Sequence, residues 1–182
     1  MNQEIEIRVL EIDEQEWIKK LESMGASLEG KWLQKRKVYD FHPVIDNKWI
    51  RLRTNGKKTT LTIKEIKDEN TIEGTNELEI EVSDFENTAL ILEELGYHYR
   101  SYQENKRICY RFQNIEIDID TWPLIPTYVE IEGPNKEEVE TFLKSFTFDK
   151  GKITTLGVDS IYRNIYHIAP DFKVLTFEDQ IK

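Results

Sequence analysis

One pattern governs what this chain can fold into: in segment after segment, apolar residues alternate with residues that are almost all ionised. In NQEIEIRVLE, residues 2–11, Glu4, Glu6 and Arg8 alternate with Ile5, Ile7 and Val9. A period of two is the period of a strand, so the segment has one apolar face and one charged face. The same alternation runs through WIRLRT (Arg51, Arg53), LTIKEI (Thr62, Lys64) and ELEIEV (Glu77, Glu79, Glu81). It continues in RICYRF (Arg107, Cys109, Arg111), IEIDID (Glu116, Asp118, Asp120) and YVEIEG (Glu130, Glu132). LQKRKVYDF adds a further strand-like stretch.

Between the strands lie amphipathic helix patterns. DEQEWIKKLESMG has Asp13 as cap, Glu16 as its capping partner and Gly25 as stop. DFENTALILEELG runs from the cap Asp84 to Gly96, and NKEEVETFLKSF starts at Asn135 with Glu138 as partner. VDSIYRNIYHI is a fourth candidate. Asn55-Gly56 and Gln113-Asn114 suit tight hairpin turns. KDENTIEGTN reads as a loop, mobile around Gly74. The spacing predicts an α+β domain, a mostly antiparallel sheet of about eight strands with helices packed on it. Residues 1–168 form one domain, and 169–182 read as an appended tail without a clear period.

The charged faces admit two architectures. In an ordinary half-buried sheet they face water. Yet water-facing strand surfaces usually mix Thr, Ser, Gln and Lys, and here the signs are segregated by strand. Like charges two residues apart repel one another unless an opposite charge lies between them. The inverted architecture curls the sheet into a closed or nearly closed barrel with the ionic face inward and the helices outside. Carboxylates gathered there are hard oxygen ligands for Mg²⁺ or Mn²⁺. Arginine forks fit phosphate oxygens two at a time. A polyphosphate bridged to a divalent metal satisfies both sets.

Bulk charge agrees with a small-molecule role. The net charge is −10, which argues against nucleic acid or an anionic membrane as partner. Eight Phe, eight Tyr and four Trp argue against disorder. Cys109 is the single cysteine, so neither a disulfide nor a cysteine-rich zinc site is available. No leader pattern opens the sequence and no apolar run is long enough to span a bilayer, so the expected location is cytoplasmic. No glycine-rich P-loop occurs. His42, His98 and His167 are too scattered for a metal site or triad. Trp122, in TWPLIP, is a candidate for shaping a cavity mouth. In the basic run KWLQKRK, Lys35 and Lys37 either draw in an anion or simply sit in solvent.

The ordered set resembles the class IV adenylate cyclase and thiamine triphosphatase group, also called CYTH proteins or triphosphate tunnel metalloenzymes. The signature there is Glu-x-Glu-x-Lys, and EIEIR matches it with Arg8 in place of the lysine. WIRLR, LTIK, ELEIEV, NKRICYRF and DIDTWPLIPTYVEIEG follow in order, over residues 2–168. The last segment is most similar to the adenylate cyclase-like branch. The resemblance implies an eight-stranded tunnel that acts on a triphosphate with Mg²⁺ or Mn²⁺, forming cyclic AMP and pyrophosphate from ATP. The alternatives are a hydrolase for inorganic or thiamine triphosphate and a protein that binds polyphosphate or nucleotide without turnover. It further implies Glu4, Glu6, Glu79, Glu81, Asp118, Asp120, Glu130 and Glu132 as metal ligands or tunnel acids. Arg8, Arg51, Arg53, Lys64, Arg107 and Arg111 would hold the triphosphate, with Arg8, Lys64 and Asp118 in catalytic roles and a homodimer as the assembly. Arg8 can replace a lysine that clamps phosphate but not one that carries a proton.

Overall fold

The computed structural model describes residues 1–146, 152–169 and 173–178. Alternation produces the strands. β1 (Asn2–Glu4), β2 (Glu6–Val9), β3 (Ser27–Asp40), β4 (Lys48–Thr54) and β5 (Thr59–Ile66) come first. β6 (Thr75–Val82), β7 (Tyr99–Phe112), β8 (Ile115–Thr121) and β9 (Tyr128–Glu132) follow. β10 (Ile153–Thr154) and β11 (Val174–Leu175) are two-residue additions. They form one sheet in the order β1-β6-β5-β4-β3-β7-β8-β9-β2-β10. Every pair on that path is antiparallel, and β11 pairs in parallel with β7.

The sheet curls because its two ends belong to one stretch of chain. β1 pairs with β6 and β2 pairs with β9, and the two are separated only by Ile5. The ladder is open, but residues 2–9 bridge its edges. At the break, the Glu6 amide donates to the Ile72 carbonyl at 3.1 Å and the Gly133 amide to the Ile5 carbonyl at 3.1 Å.

The helices form where the caps predicted them. Asp13 accepts from the Glu16 amide at the start of α1 (Glu14–Ser23), and Asp84 from the Asn87 amide at the start of α2 (Phe85–Glu94). Asn135 accepts from the Glu138 amide and donates to the Glu138 carboxylate, opening α3 (Lys136–Leu143). The fourth helix pattern is a single turn, α4 (Val158–Ser160), running into a π-helical turn over Ile161–Ile165.

α1 and α3 lay Trp17, Leu21, Val139, Phe142 and Leu143 on the outward residues of β2, β8 and β9. α2 covers Tyr39, Ile50 and Leu52 on β3 and β4 with Ala89 and Leu92. The helical cover is incomplete, contrary to expectation: Leu78 and Ile80 on β6 are 52% and 56% exposed.

Two further expectations are corrected. The Gly74 loop is packed rather than mobile. Ile72 is buried in the main core, and the Lys67 amide donates to the Gly74 carbonyl at 2.7 Å. A Cβ on Gly74 would lie 1.7 Å from the Asp68 carbonyl oxygen, so the close approach requires glycine. The tail is also integrated where it is described. Leu175 is 1% exposed and joins Leu10, Trp122, Ile125, Tyr128, Ile161 and Tyr162 in a third apolar cluster. Residues 170–172 and 179–182 lie outside the described residues.

Candidate active site in the barrel

The inward face encloses a cavity of about 390 Å³. One wall is basic. Arg51 and Arg53 on β4 stand beside Arg36 on β3, with Arg53 directly opposite Arg36 in the ladder. The facing wall is acidic and carries Asp120 of β8, Glu130 of β9 and Glu6 of β2. Arg8, Lys64 and Arg107 also line the space.

Register dictates the ion pairs. Arg8 and Glu130 are direct partners across β2 and β9. The Arg8 guanidinium lies 2.5 Å from Glu130 and 2.9 Å from Glu6, and it donates to the Leu156 carbonyl at 3.0 Å. Burial alone would lower its proton affinity, but Glu130 and Glu6 outweigh that and raise it. Burial would likewise raise the Glu130 carboxyl, yet Arg8, Arg107 and Lys64 hold it well below the usual carboxylate range.

Arg107 faces Asp120 across β7 and β8 and binds it in a fork, at 2.8 and 2.6 Å. It also reaches Glu130 at 3.1 Å and contacts Asp118. Lys64 pairs with Glu4 at 3.1 Å and with Glu77. Arg51 lies 3.3 Å from Glu77 and 3.5 Å from Glu79. Arg53 approaches Glu79 only to 3.9 Å, and Arg51 together with burial lowers it to about 10.

The predicted residues therefore divide. Glu6, Arg8, Arg51, Arg53, Lys64, Arg107, Asp120 and Glu130 line the cavity. Asp118 is buried one guanidinium behind the wall, and Glu4 and Glu79 are tied to wall cations. Glu132 lies outside the cavity lining, opposite Glu6 and Glu116 in the ladders. Although the residue keeps an exposed edge, burial of its carboxyl and the neighbouring Glu4, Glu130, Glu6 and Glu116 push it up to about 8. Two residues are not brought in. Arg111 is half-exposed and pairs with Glu116 at 2.5 Å, and Glu81, its side chain 66% exposed, meets Lys58.

The carboxylates suit a hard divalent cation. Burial pushes the Asp118 carboxyl up to about 7, and its buried Oδ1 has no hydrogen-bond partner. Ligand atoms of Cys109, Glu116 and Asp118 lie within 4.8 Å of one another. Burial pushes the Cys109 thiol up strongly, so it stays protonated and leaves the oxygens as the usable donors.

Some of the cavity was not visible as charge alternation. Arg36, Gln103 and Tyr128 line it, and Gln34 and Asn105 are buried on the same inward rows of β3 and β7. The period-two signal existed in Gln34-Arg36-Val38 and Ser101-Gln103-Asn105-Arg107. KWLQKRK hid the first because it is basic on both faces, and neutral side chains hid the second. Lys37 points outward, 3.0 Å from Glu86, and Lys35 is exposed, so neither belongs to the cavity. Trp122 is buried in the wall beneath Arg36. His42, His98 and His167 are exposed, and none lines the cavity. No described helix is long and apolar enough to cross a membrane.

The architecture has close counterparts. A conserved hypothetical protein of Pyrococcus furiosus superposes with a TM-score of 0.72 at 23% identity, covering 85% of this chain and 97% of that one. A candidate adenylate cyclase of Vibrio parahaemolyticus gives 0.74 at 10% identity, with 88% and 97% covered. An adenylyl cyclase candidate from Hippeastrum, described as having a dominant triphosphatase activity, gives 0.58 at 17% identity, with 93% and 98% covered. No curated protein matches the chain by sequence. The CYTH domain model matches residues 2–165, nearly the whole described barrel, and the chain belongs to the CYTH domain family.

Proposed function

We propose that this protein is a divalent-metal-dependent enzyme acting on a triphosphate, with an adenylate cyclase-like reaction as its activity. The observation that carries this reading is the row Arg36, Arg51 and Arg53 facing Asp120, Glu130 and Glu6 across one cavity. Guanidinium forks suit phosphate oxygens, and opposed carboxylates suit the cation that accompanies them.

Glu6, Asp120 and Glu130, which line the cavity, are the residues that would hold Mg²⁺ or Mn²⁺. When bound, the cation supplies charge neutralisation on the phosphates. The chain's own cations do the positioning: Arg51 and Arg53 fix the phosphates from β4, while Lys64 and Arg8 close the space between the walls. Positioning and charge neutralisation supply most of the rate in phosphoryl chemistry.

In the cyclase reaction the ribose 3′-hydroxyl oxygen bonds to the α-phosphorus, and pyrophosphate leaves with the electrons of the broken bond. The hydroxyl proton goes to the acidic wall. Asp118, with its carboxyl near 7, is suited to hold that proton at neutral pH. Arg107 is shared between Asp118 and the cavity, so a phosphate that draws on this guanidinium loosens its hold on Asp118 and makes it the better base. Arg8 acts as a clamp, because a guanidinium between two carboxylates keeps its proton.

Hydrolysis is the second reading, with water attacking a phosphorus in the same site. The Hippeastrum counterpart, with its dominant triphosphatase activity, favours keeping it. One experiment separates the two. The protein is incubated with ATP, inorganic triphosphate and thiamine triphosphate, each with Mg²⁺ or Mn²⁺, while phosphate and cyclic AMP are followed together. Cyclic AMP with pyrophosphate is the expected result. Phosphate without cyclic AMP identifies a hydrolase, and no product with any substrate removes the enzymatic reading.

A further inference from the structure

The cavity's cations differ in how they are neutralised. Arg8, Lys64 and Arg107 each touch two or more carboxylates. Arg51 shares Glu77 and Glu79. Arg36 has none. Its guanidinium donates to two neutral amide oxygens, Gln34 at 3.1 Å and Asn105, and no carboxylate among the described residues forms an ion pair with it. It is nevertheless 8% exposed, with a buried Nε that has no partner.

Its surroundings add to the cost. Arg53 is its direct neighbour across β3 and β4. Burial, together with Arg51, Arg53 and Arg107, outweighs the more distant Asp120 carboxylate and lowers its proton affinity to about 9. Besides the two amide oxygens, its favourable contact is with the Trp122 ring, whose centroid is 4.5 Å away. A buried charge without a counter-ion is strongly unfavourable and persists only where the rest of the fold imposes it.

We propose that Arg36 is an additional binding residue for the anionic phosphate chain, with the substrate itself as its missing counter-ion. This rests on the triphosphate reading of the cavity. It assigns a role to β3, where the pattern of charged strand faces placed none. The empty protein carries Arg36 as a destabilising charge, and an anion in the cavity neutralises it.

The test uses Arg36→Gln and Arg36→Met, which keep the bulk and remove the charge. Titration calorimetry with inorganic triphosphate in the presence of a chelator reads binding without turnover, and thermal melting of the ligand-free proteins reads stability. Both variants are expected to bind triphosphate roughly tenfold to a hundredfold more weakly, as for loss of a charge-assisted hydrogen bond. At least one is expected to melt higher than the wild type when empty, by roughly 2–4 °C per kcal/mol recovered. Undiminished binding by both variants overturns the proposal. So does a lower melting temperature in both, which makes Arg36 a structural residue. A wild-type protein that binds triphosphate neither with the chelator nor with added Mg²⁺ overturns the functional reading itself, and is told apart by requiring no variant.

Discussion

At the scale of residues, the site is a set of charges held by one another. Arg8 shows what this costs to disturb. Its guanidinium is the counter-charge for both Glu6 and Glu130, and all three are largely buried. Arg8→Ala removes the cation between the two carboxylates, leaving Glu6 without its ion pair and Glu130 with only Arg107. The expected loss is about 3–5 kcal/mol, the usual cost of breaking a buried pair from one side. Urea denaturation measures it, and a loss under about 1 kcal/mol, the range of a surface pair, contradicts the buried arrangement. Arg8→Lys keeps a charge but not the fork, so it falls between the two. Most of these residues were legible in the sequence, because ionised residues at a period of two announce an ionic face. What the sequence did not show was how the charges are shared. That depends on register, which brings Arg8 opposite Glu130 and leaves Arg36 opposite another arginine.

At the scale of elements, caps and the opening strand were readable while the packing of the C-terminal segment was not. Asp13, Asp84 and Asn135 open helices as expected because each satisfies an amide that the helix leaves free. The strand β11 gave no such signal, since two residues cannot show a period. Its role is still substantial. Leu175 is buried against Tyr128 and Tyr162, behind the wall that carries Trp122. Leu175→Ala is expected to cost about 2–5 kcal/mol, as for other buried large-to-small changes. Ile80→Thr on the open outer face of β6 is expected to stay within about 0.5 kcal/mol. Thermal melting of the two variants side by side checks the contrast, and equal effects refute the packed tail.

At the scale of the whole molecule, the acidic half of the barrel sets how stability responds to pH. Glu132 at about 8 and Asp118 at about 7 both lie above the ordinary carboxylate range. The folded protein therefore keeps protons that the unfolded chain has already released. Stability from these two groups is fully present only below the ordinary carboxylate range and is lost progressively from there as pH rises to about 7 and 8. Glu130 has the opposite sign: its contribution persists across this window and fails only in strong acid. The metal-free melting temperature is expected to fall between about pH 5.5 and about pH 8.5. Added Mg²⁺ should flatten or reverse that fall, because a cation binds the deprotonated acids. A metal-free melting temperature that rises over this range contradicts the crowded carboxylates. The way the barrel is joined has a further consequence, for the order in which the protein can assemble. Residues 2–9 precede all their partners in the chain: β1 waits for β6, and β2 waits for β9. The seam is a strongly non-local contact, and closing it requires ordering nearly everything between. A segment that precedes its partners in the chain is thus among the last to find its place, and until it does Glu6 and Arg8 have no wall to complete.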